Sequence, residues 1–238
     1  MTNNSKTVEQ FFEITTVPPC GSVNLAIEAR CDFFLTRLII PHDAAGHFLV
    51  TDLKCGRDSR LISRGAIPAG CFSDRAFSED LSLGEVKKGD SIVISVTNQS
   101  SVDRNFSCSI LGEQETTGTE VERRILGYGS TLIPEYGWAN IHVQSQVTFR
   151  PYRLIVPSTI AHHFKIESVY YGEEVRQELP LGLIGHRRHT EMTTAFLDLE
   201  SRRLRLPAKP NQFITISVQN VADCSRNFQA ALVGYVGA

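Results

Sequence analysis

Short runs of alternating apolar and polar residues recur along this chain. In Ile92-Val-Ile-Ser-Val-Thr-Asn98, the residues Ile92, Ile94 and Val96 share one face. In Phe213-Ile-Thr-Ile-Ser-Val218, Ile214, Ile216 and Val218 do the same. A period of two sends successive side chains to opposite faces of a strand, so each run predicts one buried and one wetter face. Similar runs, rich in β-branched and aromatic residues and bounded by Gly, Pro, Asn and Asp, predict further strands. They lie near 23–30, 33–40, 47–54, 60–64, 76–83, 91–97 and 106–111, then near 139–148, 152–156, 164–171, 175–179, 193–199, 202–206, 213–218 and 228–235. Lys88-Gly-Asp90 and Lys209-Pro-Asn211 read as turns. No stretch of eleven or more residues keeps a helical period.

The two sets of strands carry the same landmarks. At an offset of 116, Pro18, Gly21, Asn24 and Phe33 fall on Pro134, Gly137, Asn140 and Phe149. Arg37-Leu-Ile-Ile-Pro41 falls on Arg153-Leu-Ile-Val-Pro157, and Ala45, His47 and Phe48 fall on Ala161, His163 and Phe164. Later the offset becomes 122. Ile92-to-Asn98 then falls on Ile214-to-Asn220, Arg104-Asn105-Phe106 on Arg226-Asn227-Phe228, and Gly112 on Gly234. About six extra residues therefore lie between Gly172 and Ile214. Ordered matches of this kind mark a tandem duplication. The chain reads as all-β: two antiparallel β-sandwich, jelly-roll-like domains in tandem. Residues 1–12 read as an N-terminal arm, 13–112 as the first repeat, 113–126 as a polar linker and 127–238 as the second repeat.

Composition narrows the function. Of 238 residues, 42% are hydrophobic and 21% charged, which is ordinary for a globular protein. The net charge of −2 predicts no strong nucleic-acid binding. Residues 1–118 carry 11 basic and 15 acidic side chains, whereas 119–238 carry 13 and 11, a mild asymmetry that can help one half meet the other half of a neighbouring chain. No apolar run reaches the ~20 residues that span a bilayer, so no membrane insertion is expected. The N-terminus lacks the basic start and apolar stretch of a secretory signal. Five of the six cysteines lie in the first half and none matches a cysteine in the second, so reduced thiols are expected rather than a shared disulfide framework.

Candidate chemistry is sparse. His162 and His163 are adjacent, and His186 and His189 are three apart. Neighbours on a strand face opposite ways, which argues against His162 and His163 sharing a metal, and zinc needs three or four converging ligands. Nucleophile elbows, phosphate loops and calcium loops are missing, so no catalytic residue or cofactor is assigned. Adjacent carboxylates such as Glu173-Glu174 read as solvated surface. Ser201-Arg-Arg-Leu-Arg-Leu206 reads as a half-buried basic strand. What the two copies share is a set of strand-end residues: Arg37, Pro41, His47, Phe48, Arg104, Asn105 and Phe106, with Arg153, Pro157, His163, Phe164, Arg226, Asn227 and Phe228. These read as structural, or as interface positions used twice. The cysteines and most histidines are the residues not shared.

Two fused β-sandwiches, reduced cysteines, a polar arm and no catalytic motif resemble the double jelly-roll major capsid proteins of tailless icosahedral viruses and phages. In that family each chain carries two upright jelly rolls and three chains form a pseudo-hexagonal capsomer. The resemblance implies a structural chain in the virion, assembled in the host cytoplasm. Its partners would be itself, as a homotrimer or larger assembly, and other virion proteins. A minor capsid protein, a spike and a non-viral shell fit the same pattern. A carbohydrate- or ligand-binding double sandwich, spike-like or lectin-like, is the second class, and a loop-borne enzyme is the third.

Overall fold

The computed structural model describes residues 6–61, 65–76, 83–114, 122–171, 182–183, 194–198 and 207–236. In the first half the strands are β1 (Thr7–Phe11), β2 (Thr15–Val17), β3 (Ser22–Glu28), β4 (Phe33–Ile39), β5 (Phe48–Cys55), β6 (Asp58–Ser59), β7 (Ile67–Pro68), β8 (Gly84–Val86), β9 (Ser91–Asn98), β10 (Arg104–Phe106) and β11 (Ser109–Glu113). In the second they are β12 (Arg123–Ile133), β13 (Trp138–Gln144), β14 (Phe149–Pro157), β15 (Phe164–Tyr171), β16 (Gly182–Leu183), β17 (Thr194–Asp198), β18 (Phe213–Asn220) and β19 (Arg226–Val236). Single helical turns, α1 (His42–Ala45) and α2 (Ser158–Ala161), follow β4 and β14.

The sheets repeat. In the first half one sheet runs β1-β11-β4-β8 and the other β3-β9-β5-β6, with β7 pairing with β5. In the second half they run β12-β19-β14-β17 and β13-β18-β15-β16. With the principal strands of each half lettered B to I in chain order, both halves read B-I-D-G and C-H-E-F. That is the jelly-roll order, and every pairing among these strands is antiparallel.

The arm and the linker are corrected by this pairing. Residues 7–11 of the expected arm form β1, which lies against β11 from Thr7↔Glu113 to Phe11↔Ser109. Arg123 to Leu126, assigned to the linker, open β12, which lies against β19. Their polarity hid them. Thr7-Val-Glu-Gln10 and Arg123-Arg124 are strands whose outward side chains meet water or a charged partner. The residues kept in register show that β1 and β2 together equal β12, while β10 and β11 together equal β19. The first copy breaks each long strand in two. The extra residues of the second copy fall largely outside the described residues, as do the whole of the runs expected at 175–179 and 202–206 and most of the run expected at 76–83.

Each repeat has its own apolar cluster. Leu35, Phe48, Ile92, Ile94, Val96 and Phe106 belong to the first, and Leu154, Phe164, Ile214, Ile216, Val218 and Phe228 to the second. The alternation expected of β9 and β18 is realised in these residues. The sheet β12-β19-β14-β17 departs from it, because it is buried on both faces. Leu126, Leu154, Val156, Ala230 and Leu232 point into the second core. Their neighbours Ile125, Ile155, Ala231 and Val233 join the first core instead. A sheet covered on both sides needs continuous apolar runs, which is why Leu154-Ile-Val156 and Ala230-Ala-Leu-Val233 do not alternate.

The cover is supplied by β7 and the buried 3-10 turn Ala69–Phe72 of the first repeat. There the backbones meet directly. Gly129 N–H donates to the Ala66 carbonyl at 2.8 Å. A Cβ on Gly127 would lie 2.4 Å from the Ala66 oxygen and 2.6 Å from Ile67 Cγ1. Gly127→Ala is therefore expected to destabilise the chain by about 2 kcal/mol, the usual cost of overpacking. Gly46→Ala, whose Cβ meets nothing within 4 Å, is the control. Denaturant titration of both variants checks this, and equal midpoints would contradict the joint.

Candidate functional site

Most of the shared strand-end residues, Pro41, His47, Phe48, Arg104 and Phe106 with Pro157, His163, Phe164, Arg226 and Phe228, collect at one end of each sandwich. In the first repeat, Pro41 ends the run after β4 with φ −53°. Its carbonyl accepts from Ala44 N–H at 3.1 Å and Ala45 N–H at 2.9 Å, which winds α1. His47 follows, its N–H donating to the Ala44 carbonyl at 3.0 Å. Its own carbonyl accepts from Gln99 N–H at 2.8 Å, which ties β5 to the end of β9. The second repeat is built alike. Pro157 has φ −54° before α2. His163 N–H donates to Ile160, and the His163 carbonyl accepts from Val221 N–H at 2.8 Å.

Behind each histidine the two phenylalanines meet edge to face. Phe48 and Phe106 lie 4.9 Å apart at 67°, and Phe164 and Phe228 lie 5.0 Å apart at 76°. All four are buried. Arg104 and Arg226 stand opposite Val17 and Ile133 in register and lie close enough to their histidines to act on them electrostatically. Burial, then the Arg104 guanidinium, holds His47 below its ordinary pKa. His163 is lowered by burial, then by His162 and Arg226, against the opposing pull of Asp223.

The centre of each constellation is an asparagine that the strand-end list omits. Asn98 and Asn220 are fully buried at the ends of β9 and β18. Asn98 Nδ2 donates to the carbonyls of Val17, Pro18 and Val102 at 2.9, 3.1 and 2.9 Å. Asn220 Nδ2 donates to those of Ile133, Pro134 and Cys224 at 3.2, 2.9 and 2.8 Å. Two hydrogens serve three carbonyls, so one bond is shared. On the other side Asn98 Oδ1 accepts from Ser100 N–H at 2.8 Å, and Asn220 Oδ1 accepts from Ala222 N–H at 3.0 Å. Each side chain thus pins the B–C hairpin to the H–I loop. The signal was present in sequence: a polar residue closing an apolar strand at the same place in both copies.

The remaining shared residues diverge. Asn105 Oδ1 accepts from Thr16 Oγ1 at 2.8 Å. Asn227 instead stands opposite Leu132, because the second repeat has leucine where the first has Thr16. Arg37 sits on β4 opposite Leu111, and Arg153 lies with its guanidinium carbon 5.5 Å from the Tyr152 ring centre.

No family model matches this chain, and no curated protein matches it. Among solved structures, it is similar to the major capsid protein P2 from bacteriophage PM2, with a TM-score of 0.47 and 8% sequence identity, across 97% of this chain and 98% of that one.

The metal candidates need one correction. His162 and His163 are not on a strand. They sit on the turn that closes α2, where no pleat separates them, and their ring centres are 3.7 Å apart. His186 and His189 lie outside the described residues. Among the described residues no three His, Cys, Asp or Glu side chains converge to hold a metal. All six cysteines are unpaired thiols; Cys55, Cys71 and Cys108 are buried, and burial pushes the Cys71 thiol up to about 12. No described helix is long and apolar enough to cross a membrane.

Asn98→Asp and Asn220→Asp keep the side chain's size and remove its donors. Each is expected to cost about 3 kcal/mol or more, since buried carbonyls lose their partners and face a carboxylate. Denaturant midpoints test this, and a cost below about 1 kcal/mol at either site would refute the pin. The histidines predict a pH effect. Their folded pKa lies below the ordinary value of 6.5, so as pH falls the unfolded chain takes up protons before the native chain does. Stability should therefore fall as pH drops from 7 through 6.5, and the His47→Gln/His163→Gln chain should lose that part of the slope. An unchanged slope in the double variant would contradict it.

Proposed function

We propose that this chain is a structural, self-assembling subunit, a capsid protein of a virus or phage. Its two jelly rolls let three copies make a pseudo-hexameric capsomer. The observation that carries this reading is the duplication itself in three dimensions. Two sandwiches of one strand order, each closed by the same asparagine, are joined across a sheet buried on both faces. A chain with two near-equivalent units places six such units around a three-fold axis when three copies associate, and closed symmetric assemblies are the common outcome of self-association. What the copies share supports shape: a proline-led helical turn, an aromatic pair and an asparagine pin. In this reading the chain acts in the virion, with itself and other virion proteins as partners.

Size-exclusion chromatography with light scattering tests it. The purified chain is expected at the mass of a trimer or above. A monodisperse monomer at high micromolar concentration, paired with glycan binding on an array, would support a recognition module instead.

A further inference from the structure

The joint between the repeats shows how this unit packs against another of its kind. One side of the joint is the outer face of β12-β19-β14, where Ile125, Tyr152, Ile155, Ala231 and Val233 are buried against the first core. The other is the flank of the first sandwich that carries β7 and the turn Ala69–Phe72. Face and flank are different parts of the unit, so the contact is heterologous. Two repeats joined once in this way leave one face and one flank over. The face belongs to the first repeat and the flank to the second.

Register locates both. In the second repeat the covered face has the rows Gly127-Ala231-Ile155, Ile125-Val233-Arg153 and Arg123-Tyr235-Arg150. The matching rows of the first are Phe11-Ser109-Ile39, Glu9-Leu111-Arg37 and Thr7-Glu113-Phe34. Val233 and Ile155 are buried, whereas their counterparts Leu111 and Ile39 keep part of their surface in water. Phe11 and Phe34 are 68% and 39% exposed. Leu111 thus lies at the centre of an apolar patch on a face that the chain itself leaves open, and such patches mark interaction sites. The flank follows from strand pairing. In the first repeat β7 rests on β5 at Leu49↔Pro68 and Val50↔Ile67. In the second, β16 rests on β15 at Lys165↔Leu183 and Ile166↔Gly182, and Lys165 and Ile166 match Leu49 and Val50 at the offset of 116. β16 is therefore the counterpart of β7, the strand that packs on β12 and β19.

We propose that the outer face of β1-β11-β4 is covered by the β15–β16 flank of the second repeat of a second copy of this chain. The joint within a chain and the contact between chains are then two versions of one packing. Repeated around a ring, internal and external joints alternate, and six units use three chains. The two versions differ in closeness. Gly127 lets backbone approach backbone in the joint, and Phe11 closes that approach at the outer contact. Glu9 stands in place of Ile125, so the outer contact is also the more polar, as suits subunits that meet after folding. This rests on the self-assembly reading and adds which surfaces meet.

Two measurements on the full chain test it. In sedimentation velocity, wild type is expected as a trimer or larger and Phe34→Glu as a monomer at the same concentration, an at least tenfold weakening. Phe34 is on the open face, so thermal unfolding should match wild type, which separates an interface effect from misfolding. The second measurement is a cross-link. A Cβ on Gly127 would touch Ile67 in the joint, so their counterparts Phe11 and Gly182 should meet between copies. Phe11→Cys and Gly182→Cys proteins, mixed under mild oxidation, should form a disulfide-linked dimer several-fold more than either protein alone. If Phe34→Glu unfolds early, the cross-link decides. A wild type that is monomeric throughout overturns the assembly reading and this contact with it. An assembling wild type whose folded Phe34→Glu variant assembles equally overturns the contact alone. So does a mixed pair that links no more than the single variants do.

Discussion

A buried carboxamide facing three backbone carbonyls holds each sandwich shut. Asn98 and Asn220 lie at the point where two loops and a strand end converge, and no water reaches them. The carbonyls of Val17 and Pro18, or of Ile133 and Pro134, would otherwise be buried without donors, at a cost comparable to a lost hydrogen bond for each. Because the same side chain reaches Val102 or Cys224, it also fixes how the chain leaves strand H and enters strand I. The phenylalanine pair, the helical turn and the histidine then pack around a corner already set. The duplication preserved this corner in both copies.

The second constraint is the sheet that both repeats share. Once β12, β14 and β19 carry apolar residues on successive positions, the outer face must be covered, and the first repeat covers it. Glycine at 127 allows backbone to approach backbone there. This makes the repeats unequal in their surroundings despite a common strand order. Where the second repeat has Ile125 facing the joint, the first has Glu9 facing outward. The same inequality appears at the open edges, in Gln10 against Leu126 and in Thr16 against Leu132. A duplicated unit keeps its corner and changes its faces, as expected when each copy meets a different neighbour.

Much of this was legible in the chain. Period-two alternation located β9 and β18, and the shifted match of Arg37-to-Pro41 with Arg153-to-Pro157 placed β4 and β14 in equivalent roles. Strands β1 and β12 were missed because an edge strand beside water reads like an arm or a linker: Thr7-Val-Glu-Gln10 shows few apolar residues, and Arg123-Arg124 looks charged. His162 and His163 were misplaced onto a strand because a four-residue helical turn is too short to show a helical period. The asparagine pin was visible as a repeated residue, but its partners are backbone carbonyls up to 87 positions away, which no local pattern specifies. The joint at Gly127 is equally non-local, since glycine in a strand tells of close approach without naming what approaches.

The proposed symmetric self-association rests on a repeated corner, a shared sheet and edges that differ between the repeats. Negative-stain electron microscopy of the purified chain addresses that claim most directly. Six-lobed particles with three-fold symmetry, or closed shells built from them, are the expected result. A field of particles no larger than a single chain, across the concentrations at which viral shells form, would contradict it.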